Sequence, residues 1–371
     1  MVHRSLFAVT TALLAGLAAA FTGGVPADAA VPDPFTVGYV WADQPTLAGC
    51  YAPVSTYSYN STAATNSICR TGRGSYVVHF PGLAAPGGNA QVTAYGSTPA
   101  SCKVVYWVPS GSVEQVGVAC FNFSGIATDA TFTASFTAGG GSANTIAFAW
   151  ADNPTATSYT ASSTYQYNNR GGLATITHAA GTGAYTISFP DNFGAAAAGG
   201  VKVTAYGAGS GVCKALSWGP NSTATAELVN VQCYNSAGSP SEERFSVVYV
   251  NGMNILGDNL LADGYAWADQ PSAASYTPNL LYQRSTTISH SGTITINSPA
   301  VGTYDVFLPY QNQGLDGGHA QVTAYGAGTS RCQIGYWLPD PGGRTVRVYC
   351  FANGGALVDT YFALQYTGKI Q

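Results

Sequence analysis

Hydrophobic and polar positions alternate with a period of two along several stretches of this chain. In the first stretch Tyr76, Val78 and Phe80 fall on one side. The same alternation returns twice, at Tyr185, Ile187, Phe189 and at Tyr304, Val306, Leu308. Such alternation, enriched in Thr, Val and Tyr, is typical of half-buried β-strands. Because no amphipathic helix of useful length follows the leader, the pattern predicts an all-β protein.

Three copies of one unit follow each other along the chain. Each copy has a Trp-Ala-Asp segment, a Val-Thr-Ala-Tyr-Gly segment and a Val-x-Val-x-Cys segment, in that order. They begin at Trp41, Trp150 and Trp267, at Val92, Val203 and Val322, and at Val116, Val229 and Val346. The spacing is too long for solenoid repeats of roughly 20–45 residues. We therefore predict three tandem antiparallel β-sandwich domains of immunoglobulin-like or jelly-roll-like type, each with about seven strands. Their expected bounds are 30–138, 146–250 and 264–371.

The N-terminus has the pattern of a secretory signal peptide. Arg4 supplies a positive charge, residues 6–21 are mostly apolar, and Ala27-Asp28-Ala29 has the small-x-small form of a cleavage site. The apolar stretch is shorter than the ~20 residues that a membrane span needs. We therefore predict a signal peptide over 1–29, a secreted extracellular protein and no transmembrane segment.

The chain has 8 cysteines, an even number that favours disulfides in a secreted protein. Three pairs bracket predicted hairpins with a central turn: Cys102 with Cys120, Cys213 with Cys233, and Cys332 with Cys350. Cys50 and Cys69 occur in the first copy alone and are expected to pair with each other. Alignment of the copies places Ser158 and Ser275 opposite Cys50, and His178 and Asn297 opposite Cys69. A metal site is disfavoured because no Cys-x-x-Cys pair exists, and we expect neither a metal nor a cofactor.

Charge and motifs narrow the classes of function. Only 8% of residues are charged and no run of Lys or Arg exists, which argues against a nucleic-acid partner. The chain lacks the common hydrolase, metalloprotease and nucleotide-binding motifs, and its 5 histidines fall at non-equivalent positions. We expect no enzyme activity. A secreted hydrolase with a site in or between the copies stays open as an alternative.

Acidic residues recur at two positions of the unit. Asp43, Asp152 and Asp269 follow the first Trp of each copy by two residues, and the later acids are Asp129, Glu242 and Asp359. Such carboxylates would bind calcium or a polyol such as a sugar, or they would cap turns. Turn capping is favoured, because it also explains the neighbouring Pro and Gly.

Aromatic residues recur as well. Tyr57, Tyr165 and Tyr282 occupy matching places, where exposed rings would stack on sugars or contact proteins. Packing within the sheet explains them equally well. For the two Trp of each copy we expect packing over the core near the disulfide.

The ordered motifs resemble repeat units of uncharacterised secreted proteins of actinobacteria, a resemblance that carries no activity or ligand. We expect a secreted, non-enzymatic binding or adhesion protein that recognises glycan or cell-envelope polymer, or another surface protein, through repeated weak sites. Tandem sites would raise avidity. A structural surface or matrix protein is the alternative. The copies would stand in a row or close into a pseudo-threefold cluster.

Overall fold

The structure is a computed structural model in which nearly every ordered element is a β-strand. It describes residues 36–139, 144–191, 198–257, 262–287, 289–311 and 317–368. The predicted signal peptide, 1–29, lies outside these ranges. No helix in the described ranges is long and apolar enough to cross a membrane. The prediction of an all-β fold is confirmed.

Each copy of the unit, here called repeats 1, 2 and 3, contains nine described strands. Repeat 1 has β1 (Thr36–Ala42), β2 (Gly49–Tyr51), β3 (Ser58–Asn60), β4 (Ser67–Gly72), β5 (Ser75–Pro81), β6 (Asn89–Ala94), β7 (Ser101–Ser110), β8 (Val113–Phe121) and β9 (Phe132–Ala138). Repeat 2 has β10 (Thr145–Ala151), β11 (Ser158–Thr160), β12 (Gln166–Asn168), β13 (Thr175–Ala179), β14 (Ala184–Pro190), β15 (Gly200–Tyr206), β16 (Val212–Pro220), β17 (Ala226–Tyr234) and β18 (Arg244–Asn251). Repeat 3 has β19 (Ala262–Ala268), β20 (Ser275–Tyr276), β21 (Gln283–Thr286), β22 (Thr295–Ala300), β23 (Thr303–Pro309), β24 (His319–Ala324), β25 (Arg331–Asp340), β26 (Gly343–Phe351) and β27 (Phe362–Gly368). Two short 3-10 helices, η1 (Ser55–Tyr57) and η2 (Leu280–Tyr282), complete the described elements.

The strands of each repeat form two sheets in the same order. In repeat 1 a four-stranded sheet runs β3-β1-β9-β6 and the other five strands run β7-β8-β5-β4-β2. Repeats 2 and 3 repeat both orders. The predicted number of about seven strands was too low, because β2 and β3 are too short to show alternation.

Each repeat has its own apolar core between its two sheets. In repeat 1 that core joins Val40 and Phe132 of the four-stranded sheet to Val78 and Val116 of the other sheet, all four with no exposed surface. These residues belong to the alternating positions of the sequence, one face of each strand being turned to the core. The prediction of a disulfide-bonded β-sandwich architecture is therefore confirmed.

All four predicted disulfides are present, and each joins neighbouring antiparallel strands. They are Cys50–Cys69, Cys102–Cys120, Cys213–Cys233 and Cys332–Cys350. One expected correspondence was wrong by a residue. Thr177, and not His178, lies opposite Ser158, as Cys69 lies opposite Cys50. His178 pairs instead with Tyr185, as Arg70 pairs with Tyr76, because the turn that follows in repeat 2 is longer.

The three repeats close into a ring. Single parallel bridges join the five-stranded sheet of one repeat to the four-stranded sheet of the next, and the last bridge returns to repeat 1. They pair Val104 with Tyr206, Ala215 with Tyr325, and Ile334 with Tyr95. The arrangement is therefore a pseudo-threefold cluster and not a row.

A ring of threonine contacts runs around the pseudo-threefold axis. Thr93 donates a hydrogen bond to the Val322 carbonyl, at 3.2 Å. Thr204 donates to the Val92 carbonyl in the same way, and Thr323 donates to the Val203 carbonyl. Each threonine belongs to a Val-Thr-Ala-Tyr-Gly segment, so one motif of the sequence supplies an equivalent contact between each pair of repeats.

The segment between repeats 2 and 3 also fastens the ring. Met253, Ile255 and Leu256 are at most 3% exposed. Met253 and Ile255 pack with Phe148 of repeat 2 and Tyr265 of repeat 3, whereas Leu256 packs with residues of repeat 1. This apolar segment is thus buried among all three repeats.

Candidate functional site

All 6 tryptophans of the chain lie at the three junctions between repeats. At each junction a buried Trp of one repeat meets a part-exposed Trp and two part-exposed Tyr of the next repeat. We call these groups the junction clusters. Their members are Trp337 with Trp41, Tyr57 and Tyr95; Trp107 with Trp150, Tyr165 and Tyr206; and Trp218 with Trp267, Tyr282 and Tyr325.

A β-bulge and a glycine-containing loop position the buried Trp of each cluster. In β7 the pairing register shifts between Val104 and Tyr106, just before Trp107, and a bulge re-aims the side chains that follow it. The Trp107 Nε1–H then donates to the Gly87 carbonyl, at 2.9 Å. The same shifts and the equivalent bonds recur in the other repeats, from Trp218 to Ala198 and from Trp337 to Gly317.

The loop that accepts this bond lies against the next repeat. Gly87 has a φ of +95°, and a Cβ there would lie 1.7 Å from the Thr164 carbonyl oxygen. Gly317 has a φ of +71° and would meet the Thr56 carbonyl oxygen at the same distance. Only glycine fits such a position. The loops that contain Gly87 and Gly317 therefore lie directly against the residues that precede Tyr165 and Tyr57.

The predicted tyrosines Tyr57, Tyr165 and Tyr282 are all cluster members. Tyr57 and Tyr282 end the two 3-10 helices, and Tyr165 ends the corresponding turn of repeat 2. Their rings make edge-to-face contacts with Trp, at 5.5 to 5.7 Å between centroids for the buried Trp of each cluster. They are not free surface rings. Each ring contacts a Trp of its own repeat, at 4.9 to 5.2 Å between centroids, as well as the buried Trp of the neighbouring repeat, so packing within the repeat and packing across the junction both hold it.

The expected position of the tryptophans was right for only one Trp of each repeat. Trp107, Trp218 and Trp337 belong to the core of their own repeat. Trp41, Trp150 and Trp267 pack against the core of the preceding repeat instead. The two Trp of one repeat were expected to pack over the same core. In the ring, each buried Trp instead contacts the part-exposed Trp of the next repeat. It also passed over Tyr95, Tyr206 and Tyr325, which the repeated motif contains.

Asp43, Asp152 and Asp269 occupy the turns after β1, β10 and β19 and are part-exposed. In repeat 3 the Asp269 Oδ2 accepts a hydrogen bond from the Asn279 backbone N–H, at 3.3 Å. A tyrosine hydroxyl also stabilises each turn. The Tyr76 hydroxyl donates a hydrogen bond to the Pro45 carbonyl, and the equivalent bonds run from Tyr185 to Pro154 and from Tyr304 to Pro271. The bond at Asp269 is the kind that caps a turn. In repeats 1 and 2 the backbone N–H groups of Gln44 and Asn153 donate instead to the hydroxyls of Tyr51 and Tyr159.

The second set of acids also caps turns. The Asp129 carboxylate accepts from the Arg70 guanidinium and from the Gly74 N–H. The hydrogen bond from Arg70 is the main reason why the pKa of Asp129 is lowered to about 2. Asp359 accepts from the Gly302 N–H in the same place. Across the described ranges, no group of three or more His, Cys, Asp or Glu side chains is placed to hold a metal ion.

A cavity on the pseudo-threefold axis is a second candidate site, and sequence reasoning missed it. Its volume is about 80 Å³, and Lys103, Lys202, Lys214 and Arg331 line it together with residues of all three repeats. Burial lowers the pKa of Lys202 to about 7 and those of Lys103 and Lys214 to about 8. The four cationic residues are far apart in the sequence, so no run of Lys or Arg indicates the cavity.

Two buried carboxyl groups were missed as well. Glu114 and Glu227 occupy equivalent positions in β8 and β17 and are at most 1% exposed, and burial raises the pKa of each to about 8. The Glu114 Oε2 accepts from the Ala85 N–H, at 3.2 Å. Repeat 3 has Arg344 at this position, so the three repeats are not chemically identical inside.

Comparison of the chain with models of protein families, with curated proteins and with solved structures found no match.

Proposed function

We propose that this protein is a secreted, non-enzymatic binding protein that recognises an uncharged glycan or cell-envelope polymer through its three junction clusters. One observation carries the proposal. The same three part-exposed rings, a Trp and two Tyr, recur at all three junctions, as in Trp41, Tyr57 and Tyr95.

The chemistry of these clusters suits a sugar ring. Aromatic side chains offer an apolar face and, in Tyr, a polar tip, which together match the C–H faces and hydroxyl groups of a sugar. With only 8% charged residues in the chain, an uncharged ligand matches the surface better than a charged polymer does.

Exposed aliphatic residues flank the clusters in the sequence. Leu280 and Leu281, just before Tyr282, are 69% and 52% exposed, and Leu338, just after Trp337, is 50% exposed. Val54 and Val108 lie similarly close to Tyr57 and Trp107 and are also exposed. Exposed apolar residues that lie together beside aromatic rings are typical of an interaction site.

The ring architecture gives the proposed sites a fixed mutual arrangement. A polymer that engages one cluster meets the next at a high effective concentration, so the three weak sites would act together. Binding to a long polymer should therefore be much stronger than binding to a short oligosaccharide of the same chemistry.

Intrinsic fluorescence tests the proposal directly, because all 6 Trp belong to the clusters. The mature protein is titrated with soluble polysaccharides and fragments of cell-wall polymer, and its retention on insoluble polymers is measured in parallel. We expect a saturable change in Trp emission with the same polymer that retains the protein. Retention on no polymer, or retention without any change in emission, would contradict the proposal.

Substitution of the part-exposed tyrosines separates binding from folding. The triple variant Tyr57→Ala, Tyr165→Ala, Tyr282→Ala should bind a polymer roughly a hundredfold more weakly, since avidity is lost together with the contacts. The matched Tyr→Phe variant keeps all three rings and should bind nearly normally. Tyr106→Ala removes a part-exposed tyrosine outside the clusters and serves as the control. Thermal unfolding of each variant shows whether it remains folded at the assay temperature.

A further inference from the structure

Positive charge is concentrated around the axial cavity. The chain has only 13 Lys and Arg residues, and four of them line this one space. Lys202 is 2% exposed, Lys103 3%, Lys214 4% and Arg331 7%. Burying one unpaired cation is costly, so four buried cations in one cavity call for compensating negative charge.

Little of that compensation comes from the protein. Glu243 is the carboxylate nearest to Lys103 among the described residues, with 4.0 Å between Lys103 Nζ and Glu243 Oε2. Within the same described part of the chain, Lys103 Nζ and Arg331 Nε are buried and donate no hydrogen bond. The two terminal nitrogens of Arg331 donate to the Ser101 hydroxyl and to Asn353 Oδ1, which fixes the guanidinium beside the cavity with Nε still available. Four cationic side chains against one carboxylate leave an excess of positive charge beside the cavity, although Lys202, whose pKa burial lowers to about 7, is only partly charged at neutral pH.

Comparison of the repeats shows that Lys103 differs from its counterparts. In repeat 2 the equivalent Lys214 donates to the Gly328 carbonyl and the Ser330 hydroxyl of the next repeat, both at 3.1 Å. In repeat 3 the equivalent Gln333 donates to the Thr98 carbonyl, at 3.0 Å. These two side chains connect neighbouring repeats, whereas the Lys103 ammonium, among the described residues, has only the 4.0 Å ion pair with Glu243 and donates no hydrogen bond.

The rim of the cavity is rich in hydroxyl groups. Ser101, Ser210, Thr329 and Ser330 line it and are all part-exposed. Lys202, on the inner side, already donates to the Val92 and Val203 carbonyls and to the Thr204 hydroxyl. A polar group that enters from the rim therefore meets hydroxyl donors first and buried cations behind them.

We propose that the axial cavity binds one tetrahedral oxyanion, a sulfate or phosphate group, with Lys103 and Arg331 as its principal donors. A doubly charged oxyanion offsets most of the excess positive charge, and it accepts from several donors at once. A pseudo-threefold cavity also suits a tetrahedral group, which presents three equivalent oxygens around one of its axes. The site is separate from the junction clusters and does not depend on polymer binding.

Calorimetric titration of the mature protein with sodium sulfate and sodium phosphate tests the site, with sodium chloride to hold the ionic strength constant. We expect one saturable anion per chain and no comparable heat from chloride or acetate. A second arm uses a sugar phosphate and a sugar sulfate. Binding of these esters, with displacement by the inorganic ion, identifies a group carried on a larger molecule; binding of the inorganic ion alone identifies a free anion.

Substitutions copied from repeat 3 show whether the lysines carry the site. Lys103→Gln, alone and with Lys214→Gln, introduces the residue that repeat 3 already has at this position. Loss of one charged hydrogen-bond donor should weaken binding roughly ten- to a hundredfold. Arg73→Gln removes one positive charge from an exposed position elsewhere and should change little.

Two results would overturn the proposal. One is the absence of saturable binding of any of these anions at millimolar concentration. The other is binding that is equally strong in the double lysine variant. Retention on polysaccharide by the same lysine variants should stay normal, so the failure of this site and the failure of the proposed polymer binding are distinguishable.

Discussion

The three repeats have the same residues at the junction clusters but different residues at equivalent positions around the axial cavity. Each junction repeats the same four aromatic residues, two Trp and two Tyr, in the same geometry. Around the axis, by contrast, equivalent positions differ: Ser101, Val212 and Arg331; Lys103, Lys214 and Gln333; Gln91, Lys202 and Gln321. A junction occurs three times and needs the same packing each time. The axis occurs once, so its surroundings are free to differ between repeats, and three copies of every cation there would repel one another.

The largest test of this comparison is removal of a buried Trp. Trp107→Ala, Trp218→Ala and Trp337→Ala should each lower the free energy of unfolding by about 3–5 kcal/mol, because each leaves a cavity and an unpaired loop carbonyl. The three losses should be similar, since the junctions are equivalent. Urea unfolding followed by circular dichroism gives the values.

The part-exposed Trp41 provides the matched comparison. Trp41→Ala should cost clearly less than Trp337→Ala in the same cluster, because Trp41 is less buried. Widely different losses at Trp107, Trp218 and Trp337 would show that the junctions are not energetically equivalent.

A second test uses the buried position that Glu114, Glu227 and Arg344 occupy in the three repeats, which lies outside the junction clusters. The folded protein holds Glu114 and Glu227 protonated up to a pKa of about 8, whereas in the unfolded chain such groups ionise near 4.5. The folded state therefore binds more protons between pH 4.5 and pH 8, and these residues make the protein less stable as the pH rises through that window.

Glu227→Gln should remove that loss. Its stability relative to wild type should increase from pH 4.5 to pH 8, by an amount on the order of 4 kcal/mol, at about 1.4 kcal/mol per unit of pKa shift. Denaturant unfolding of both proteins at several pH values measures it. A difference that does not change with pH would mean that Glu227 is already ionised in the folded state.

The smallest expected effect concerns Lys202. Lys202→Gln makes this axial position identical to Gln91 and Gln321, and a Gln amide can replace two of the three hydrogen bonds of the ammonium group. The cost at pH 7 should be roughly 1 kcal/mol or less.

The pH dependence of the Lys202 variant has a defined sign. Because burial lowers the pKa of Lys202 from 10.5 to about 7, the unfolded state binds more protons between these values, and wild-type stability gains with rising pH. The glutamine variant should lack this gain when both proteins are unfolded at pH 7 and pH 10. If Lys202→Gln lowered the free energy of unfolding by several kcal/mol at pH 7, the residues around the axis would not be interchangeable between repeats.

Much of the architecture could be predicted because it depends on short stretches of chain. The alternation at Tyr76, Val78 and Phe80 determines which face of β5 is buried. The turn between Cys102 and Cys120 brings these two residues opposite each other without help from distant residues. The error at His178 has the same local origin, since a longer turn shifts the register of everything before it.

The sequence singled out Tyr57, Tyr165 and Tyr282, but their partners across the junctions, ring closure and the axial cavity could not be predicted from it. Trp41 meets Trp337, and Lys103 comes within 4.0 Å of Glu243, only because three sandwiches pack around one axis. Contacts between residues so far apart depend on the relative orientation of whole repeats, and the period-2 pattern carries no information about that orientation. Local order thus specified the strands, hairpins and disulfides, whereas long-range packing determined which rings share a junction and which cations share a cavity.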